Sequence, residues 1–216
     1  MRLEDIPTPA IHRLSFYLRQ LEAFKRGDRH TISSKQLGEA LGYTDAQVRK
    51  DLAYFGQFGH PGIGYRVDEL IGQLKKILGT DKVWHVLLIG AGNLGRALAA
   101  YRGFAAKGFE LTAVFDADPA KHGMVFGDRK VRPASELARA VRDEDIRLAM
   151  MAVPAEAAQA VADELVAAGV RGILNFAPTS ISVPEHVSVQ SVDLAVQLEQ
   201  LSFKMSLLGG DGPGGA

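Results

Sequence analysis

Cysteine is absent from this sequence of 216 residues. Disulfides, thiolate catalysis and cysteine zinc sites are therefore excluded, and any sensing of redox state must use a bound ligand. The sequence also lacks an apolar run close to the roughly 20 residues that a membrane helix needs. Its charged first residues, 1–5, lack the apolar stretch of a signal peptide. We therefore expect a cytoplasmic protein with no membrane contact.

Net charge is also absent, because 25 Lys and Arg residues balance 25 Asp and Glu residues. The signs are unevenly spread: residues 1–78 hold 12 basic and 9 acidic residues, whereas residues 79–216 hold 13 and 16. This mild asymmetry permits a nucleic-acid-binding N-terminal part without requiring one. The hydrophobic content of 47% is sufficient for real cores.

The pattern of residues 1–79 predicts a winged-helix domain. Apolar residues at three-four spacing predict a helix over 9–24, Ser33 opens a second helix with a capping box, and Thr44 is the expected N-cap of a third. Two helices joined by a tight turn that contains glycine are typical of a helix-turn-helix. A hairpin punctuated by glycines follows, and a closing helix over 68–79 completes the domain.

The third predicted helix exposes polar side chains away from its apolar stripe. Arg pairs with guanine, Gln with adenine, and Lys with guanine or phosphate, so such a face suits the major groove of DNA. Alternatively, Arg49 and Lys50 form an ordinary solvated face that pairs with Asp45 or Asp51. Polar side chains beside the hairpin glycines favour DNA contact. The candidate DNA-contacting residues are Thr44, Gln47, Arg49, Lys50, Tyr54, Tyr65 and Arg66.

Residues 80–191 alternate between apolar strands and helices, which predicts an α/β Rossmann-type domain with a parallel sheet and helices on both faces. The first strand leads into G-x-G-x-x-G and a helix, the context in which this motif binds a dinucleotide. Its glycines permit a tight turn, close approach of a pyrophosphate, and close packing of helix on strand. The motif consists of Gly90, Ala91, Gly92, Asn93, Leu94 and Gly95.

Asp116 ends the next predicted strand, 21 residues after Gly95. A carboxylate there accepts hydrogen bonds from the adenosine ribose and repels a 2′-phosphate, which favours NAD(H) over NADP(H). Alternatively, Asp116 belongs to an ordinary turn. Two later loops lie at carboxyl ends of strands, where a nicotinamide would reach, although their prolines alternatively serve only to end strands. Their candidate residues are Val153, Pro154, Asn175, Ala177 and Pro178.

No acid–base arrangement such as His–Asp, Ser–Lys or Tyr–Lys stands out at informative spacing, and no metal site is indicated. We therefore predict no catalytic residue. The segment 192–208 places apolar residues at four-three spacing, which predicts a C-terminal helix with a heptad-like seam. Residues 209–216 are too rich in glycine to fold and are expected to form a disordered tail.

Seven segments resemble, in the same order, the family of redox-sensing transcriptional repressors called Rex. The resemblance runs from about Pro9 to Phe203, and the ordered series is far more specific than any one motif. The segments are VRKDLAYFG, GIGY, IGAGNLGRAL, FDADP, VPAEAAQ, GILNFAP and VDLAVQLEQLSF.

The resemblance implies a homodimer of winged-helix and NAD(H)-binding Rossmann domains, with the C-terminal helix exchanged between subunits. It implies binding to operator DNA when NADH is scarce and release when NADH binds, with NAD+ competing. A two-fold dimer in turn predicts a pseudo-palindromic operator. The interdomain contacts of the family correspond to Arg19, Tyr101 and Asp193. Where the family's wing carries a basic residue before GxGY, this sequence has Pro61. Either the wing contacts a minor-groove phosphate more weakly than in the family, or His60 supplies that contact, which makes His60 a candidate DNA contact.

Two alternatives remain open. A small NAD-dependent oxidoreductase with an N-terminal docking domain would share the glycine loop, but it would need a substrate pocket and an acid–base residue. A coenzyme A-binding protein would share the Rossmann domain, but the carboxylate of Asp116 would oppose the 3′-phosphate on the ribose of coenzyme A.

Overall fold

A computed structural model describes residues 6–60 and 62–208 and separates the chain into two compact units, with the boundary between Lys82 and Val83. The sequence-based expectations for the N-terminus before residue 6, for Pro61 and for the tail over 209–216 lie outside the described residues. Within the described ranges, no helix combines the length and the apolar character needed to cross a membrane.

The N-terminal unit is built from four helices and a short antiparallel strand pair. Helix α1 supplies one long buried stripe, including Leu14, Tyr17 and Leu21, and the inner faces of the other helices close the core around it. The elements are α1 Thr8–Arg26, β1 Thr31–Ile32, α2 Ser34–Leu41, α3 Asp45–Ala53, β2 Tyr65–Arg66 and α4 Val67–Ile77.

The helix boundaries in this unit follow from capping chemistry. The hydroxyl of Ser33 accepts from the backbone N–H of Gln36, and the amide oxygen of Gln36 accepts from the backbone N–H of Ser33, so the predicted capping box is present. Gly42 ends α2 in the left-handed conformation with φ 73°. The Thr44 hydroxyl accepts from the backbone N–H of Gln47 and begins α3.

The predicted wing has less strand pairing than a regular hairpin. Its two sides meet at one isolated bridge between His60 and Gly64, and β2 pairs with β1 rather than with the strand before the turn. Gly64 has φ 86°, and a Cβ there would lie 2.5 Å from the carbonyl oxygen of Ile32. At Gly64 the backbone of the wing therefore packs against the backbone of Ile32 at a distance that only glycine permits.

The C-terminal unit is a seven-stranded sheet with helices on both faces. Its elements are β3 Trp84–Ile89, α5 Asn93–Ala100, β4 Phe109–Asp116, β5 Val125–Phe126, β6 Arg129–Pro133, α6 Leu137–Asp143, β7 Leu148–Met151, α7 Ala155–Ala168, β8 Gly172–Asn175, β9 Ser188–Ser191 and α8 Leu194–Leu208.

The strand order is β5-β6-β4-β3-β7-β8-β9, and every pairing is parallel except that of the edge strand β5. Without β5, this is the order of a doubly wound Rossmann sheet, in which the chain reverses direction across the sheet beside β3. The predicted fold class is therefore confirmed. Ile89 pairs with Phe115 on one side and Met151 on the other, so the carboxyl ends of three central strands are level.

In the C-terminal unit, three of the described strands were not predicted from the sequence, namely β5, β6 and β9. Strand β9 reads SVQS and strand β6 reads RKVRP, and neither has the apolar run that marks a buried strand. Both are strands through their pairing with a neighbour, β6 with β4 and β9 with β8. Helix α5 ends at Ala100, and the chain continues as turns.

Helix α8 has no cover from the described residues. Its apolar side chains are largely in solvent, for example Leu198 at 67% and Phe203 at 65% exposure. Exposed apolar side chains in this number are typical of an interaction surface.

Candidate nucleotide site and DNA-binding surface

The glycine loop joins the end of β3 to the start of α5, and two of its glycines have no room for a side chain. Gly90 has φ 103°, and a Cβ there would lie 2.2 Å from the carbonyl oxygen of Ala152. A Cβ at Gly95 would lie 2.0 Å from the carbonyl oxygen of Gly90. Around a Cβ at Gly92, in contrast, nothing lies within 4 Å. The first and third glycines thus serve internal packing, whereas the second keeps a space open.

That open space lies at the beginning of α5. Gly92 is the N-cap of this helix and supplies no side-chain cap, so the first backbone N–H groups have no side-chain acceptor. The next residues, Asn93 and Leu94, are exposed. A helix N-terminus with unpaired N–H groups and a positive dipole end binds anions such as a pyrophosphate.

Asp116 lies beside this loop at the end of β4 and is 8% exposed. Its carboxylate accepts hydrogen bonds from the backbone N–H of Ala91 at 2.6 Å and of Asp118 at 2.8 Å, and from the Lys121 ammonium at 3.1 Å. Burial opposes ionisation, but these donors outweigh it and lower the pKa of Asp116 below its usual range. Asp116 is therefore charged and fixed against the glycine loop.

Lys121 was missed by the sequence reasoning. Its ammonium lies 3.1 Å from Asp116 and 4.0 Å from Asp118, which places a cation beside the carboxylate that would meet the ribose. The available signal was its position within the same turn, five residues after Asp116. The Lys121 side chain is partly exposed, at 34%, so the ammonium lies between the carboxylate and the solvent.

The two later loops lie at the same edge of the sheet as Gly90. The backbone N–H of Ala152 donates to Ile89, and that of Phe176 donates to Met151, so each loop leaves its strand level with the glycine loop. Val153 lies 3.2 Å from a Cβ built at Gly90. Pro154 and Pro178 are exposed, whereas Ala177 is buried.

Asn175 is buried at the carboxyl end of β8. It is 0% exposed, its side-chain NH2 donates to the carbonyl of Thr179, and its side-chain oxygen accepts from the backbone N–H of Ala177. Both ends of the amide are therefore used to shape the loop. Asn175 therefore positions the loop that contains Ala177 and Pro178, and a direct contact with a nucleotide stays a prediction.

Helix α3 presents the predicted basic pair on its exposed side. The Arg49 guanidinium donates to the Asp45 carboxylate at 2.6 Å and to the Ser34 hydroxyl at 3.1 Å. This is the pairing with Asp45 that the sequence left open, and it holds Arg49 along the helix surface. Lys50 is exposed and has no ion-pair partner among the described residues. Tyr54 is half-buried at the end of the helix.

The wing residues divide into two groups. Arg66 and His60 are exposed, and both face Glu69, at 3.2 Å and 3.7 Å. Tyr65 is 8% exposed and belongs to the core of the N-terminal unit. The ring of Tyr65 anchors the wing because β2 turns that side chain inward, whereas alternation along the strand leaves Arg66 outside. A DNA contact by Tyr65 stays a prediction.

The residues carried over for coupling are placed within their own units only. Arg19 is exposed on α1. Tyr101 ends α5, is 61% exposed and packs edge-on against Phe104 with ring centres 4.9 Å apart. The Asp193 carboxylate accepts from the backbone N–H groups of Ala195 and Val196 and so caps α8.

Comparison with known proteins gives matches to both units and to the whole chain. Residues 5–53 match a family model described as a putative DNA-binding protein N-terminus, and residues 81–179 match one described as a CoA binding domain. The redox-sensing transcriptional repressor Rex of Carboxydothermus hydrogenoformans is 50% identical, covering 93% of this chain and 96% of the relative. That of Desulforamulus reducens is 46% identical, covering 96% and 99%.

Solved structures agree over the same length. The crystal structure of RSP in complex with beta-NAD+ and operator DNA has a TM-score of 0.90 and 38% identity, covering 94% of each chain. The structure of RSP in complex with beta-NADH has a TM-score of 0.85 and 36% identity, covering 94% and 96%. A further structure is described as RSP, a Rex-family repressor, with a TM-score of 0.86.

Fold and sites together define a DNA-binding regulator that carries a Rossmann domain. The chain belongs to the family of redox-sensing transcriptional repressors Rex. The resemblance stated from the sequence is therefore confirmed.

Proposed function

We propose that this chain is a transcriptional repressor that binds operator DNA as a homodimer and is released by NADH, so that it responds to the ratio of NADH to NAD+. The observation that carries the proposal is the similarity, over 94% of each chain, to a repressor crystallised with NAD+ and operator DNA. The proposed parts are a DNA-binding domain over 1–79, an NAD(H)-binding domain over 80–191 and a dimerisation helix over 192–208.

The nucleotide proposal is supported by the shape of the glycine loop. Gly92 leaves open the space that a pyrophosphate would need, and the N-terminus of α5 faces that space with unpaired N–H groups. A carboxylate has roughly four acceptor positions, and the three donors to Asp116 leave one for a ribose hydroxyl. When bound, NADH supplies no chemistry in this proposal: it acts as a ligand that favours one conformation.

The DNA proposal is supported by the exposed face of α3. Arg49, Lys50 and Gln47 lie on the second helix of a helix-turn-helix, the element that enters the major groove in proteins of this class. Arg66 and His60 on the wing add cationic or polar contacts to the phosphates. Lys50 is available for such contact without breaking an ion pair.

The dimer proposal is supported by α8. Its apolar residues are exposed, and a second copy that accepts this helix would bury them. Because the two ligands favour different arrangements of the dimer, NADH and DNA must weaken each other's binding by the same factor. The proposal includes a cytoplasmic location and no catalytic activity, since a repressor responds to its nucleotide without turning it over.

Coenzyme A is the second candidate ligand, because residues 81–179 match the CoA binding domain model. The charged, buried Asp116 disfavours it, since the carboxylate would meet a phosphorylated ribose. A thermal-shift comparison separates the two: NADH should raise the Tm, and coenzyme A should not. A larger shift with coenzyme A would reverse the assignment.

The experiment that tests the whole proposal is selection from a pool of random DNA duplexes at fixed salt, with NADH or NAD+ added. Salt must be fixed because phosphate contacts make the affinity strongly salt-dependent. We expect enrichment of a pseudo-palindrome that NADH abolishes and NAD+ does not. If no sequence is enriched, the better hypothesis is a small NAD-dependent oxidoreductase whose N-terminal unit is a docking domain.

A further inference from the structure

Asp51 is the most buried charged group in the described part of the N-terminal unit. It lies on α3, and its side chain is only 1% exposed. Arg13 on α1 donates to it twice, from Nε at 2.6 Å and from Nη2 at 2.8 Å. The Tyr17 hydroxyl donates at 2.7 Å, and the Gln47 side-chain NH2 donates at 2.7 Å.

These four donors fill the carboxylate. Oδ2 accepts from Arg13 and Tyr17, and Oδ1 accepts from Arg13 and Gln47. A carboxylate has roughly four acceptor positions and no donor when ionised. With a guanidinium bound in bidentate geometry, Asp51 stays ionised and can only accept.

This chemistry decides which way the Gln47 amide points. With its oxygen toward Asp51, the amide would place two acceptors against each other at 2.7 Å, so its NH2 must face Asp51. The amide oxygen Oε1 is then directed elsewhere, and no donor among the described residues reaches it. Gln47 is the third residue of α3, where recognition helices contact base edges.

We infer that Asp51 is a positioning residue that orients Gln47 so that its Oε1 reads an exocyclic amine of the operator, either adenine N6 or cytosine N4. These two groups are the hydrogen-bond donors in the major groove, whereas guanine and thymine offer acceptors there. The inference rests on the proposed DNA-binding function and adds the direction in which one residue reads the sequence. Arg13 and Tyr17, both on α1, act through Asp51, so α1 contributes indirectly to base recognition.

The test is a double-mutant cycle between protein and DNA, using the full-length chain and the operator found by selection. Each adenine in a half-site is replaced by purine, and each cytosine by 2-pyrimidinone, which removes one amine at a time. Affinities are measured for the wild type and for Gln47→Met, which keeps the length of the side chain and removes its hydrogen bonds. Lys50→Met, on the same helix, is the matched control.

We expect one position at which loss of the amine weakens wild-type binding about 3- to 10-fold per half-site, the size of a single hydrogen bond. Gln47→Met should lose most of that dependence, whereas Lys50→Met should weaken binding at all sequences and retain it. Equal losses for wild type and Gln47→Met at every position would overturn the inference. Wild-type binding to the unmodified operator reports separately on the proposed function.

The orienting role of Asp51 is checked in the wild-type protein without DNA. The two side-chain amide protons of Gln47 should have well-separated NMR resonances and slow exchange, because one donates to a buried carboxylate. Resonances at the positions of a free glutamine side chain, with fast exchange, would show that Asp51 does not orient it.

Discussion

Gly95 on α5 and Gly90 at the end of β3 are in backbone contact, such that a Cβ on Gly95 would lie 2.0 Å from the carbonyl oxygen of Gly90. Since real Cβ atoms do not approach an oxygen so closely, the helix and the strand require glycine here. Gly92, between them in the same loop, has open space around its Cβ position. Within one motif, Gly95 is thus required for packing, whereas Gly92 keeps a space open. Substitutions at the two positions should therefore have different effects.

We expect Gly95→Ala to lower the free energy of unfolding by about 1–3 kcal/mol, the usual cost of forcing a methyl group into a packed site. Gly92→Ala should change the free energy of unfolding less than Gly95→Ala does. It should weaken NADH binding, because its methyl group occupies the space kept for a pyrophosphate. Thermal denaturation and NADH titration of both variants provide the check. Equal losses of Tm would show that the two positions are not distinct.

Asp116→Asn should weaken the binding of NADH and reduce the preference for NADH over NADPH. The substitution removes the charge that repels a 2′-phosphate and frees the Lys121 ammonium, now 3.1 Å from the carboxylate, to attract it. Fluorescence titration with both nucleotides measures the ratio. Asp118→Asn is the control, because Asp118 is more exposed and its replacement still caps the following turn. An unchanged ratio in Asp116→Asn would remove Asp116 from the site.

Arg49→Ala should lower specific operator affinity by about 1–3 kcal/mol and leave NADH binding intact. Its effect on stability should be small, because the ion pair with Asp45 is exposed. Asp45→Ala is the informative partner: it frees the guanidinium and removes a negative charge from the DNA-facing side, so operator affinity should hold or rise. Fluorescence anisotropy at fixed salt decides, and equal loss in both variants would indicate that the pair acts as a structural unit.

Asp51 should make the stability of the N-terminal unit depend on pH in the acidic range. Burial opposes its ionisation, but the hydrogen bonds from Arg13, Tyr17 and Gln47 outweigh burial and lower its pKa in the folded state. The stabilisation is therefore complete above the unfolded pKa of about 4 and is lost as the pH falls through the folded pKa. Urea unfolding followed from pH 6 downward should show a steeper loss for the wild type than for Asp51→Asn. Parallel curves would contradict a depressed pKa.

Leu198→Glu on α8 should shift the chain from dimer to monomer and abolish high-affinity operator binding. Leu198 is 67% exposed in one chain, so the substitution should change the stability of the folded monomer little. In a dimer that covers this position, it would bury a charge and so destabilise the interface. Sedimentation at several concentrations measures the oligomeric state, and Glu199→Gln on the same helix is the control. A dimer that persists in Leu198→Glu would place the interface elsewhere.

Much of the fold could be read from local patterns. The boundaries of α2 and α3 follow from Ser33, Gly42 and Thr44, whose capping roles depend on residues three or four positions away. Strands such as β9 could not be predicted in this way. Its residues, Ser188–Ser191, form a strand because β8 offers a free edge, and that edge exists only after the sheet is assembled.

The candidate sites divide in the same manner. The glycine loop and Asp116 were recognisable because their spacing is fixed by one strand, one turn and one helix. The burial of Tyr65 on the inner side of the wing was not predicted, since it depends on packing against residues that are distant in the chain. The two hydrogen bonds of the Asn175 amide were not predicted either, although their partners lie only two and four residues away. Asp51 was considered only as a partner of the basic pair, because nothing local brings Arg13, 38 residues away, to its carboxylate.

By itself, the sequence determined the order of the two units and the position of the glycine loop, and it carries the predictions of a nucleotide site, of an unphosphorylated ribose and of a helix that meets DNA. Each of these depends on residues that are neighbours along the chain, where backbone geometry alone sets their relation. Tertiary structure decided which polar groups form hydrogen bonds within the protein and which stay available for a ligand. That choice depends on the low-dielectric interior, in which a buried carboxylate such as Asp51 must collect donors from separate helices or remain uncompensated.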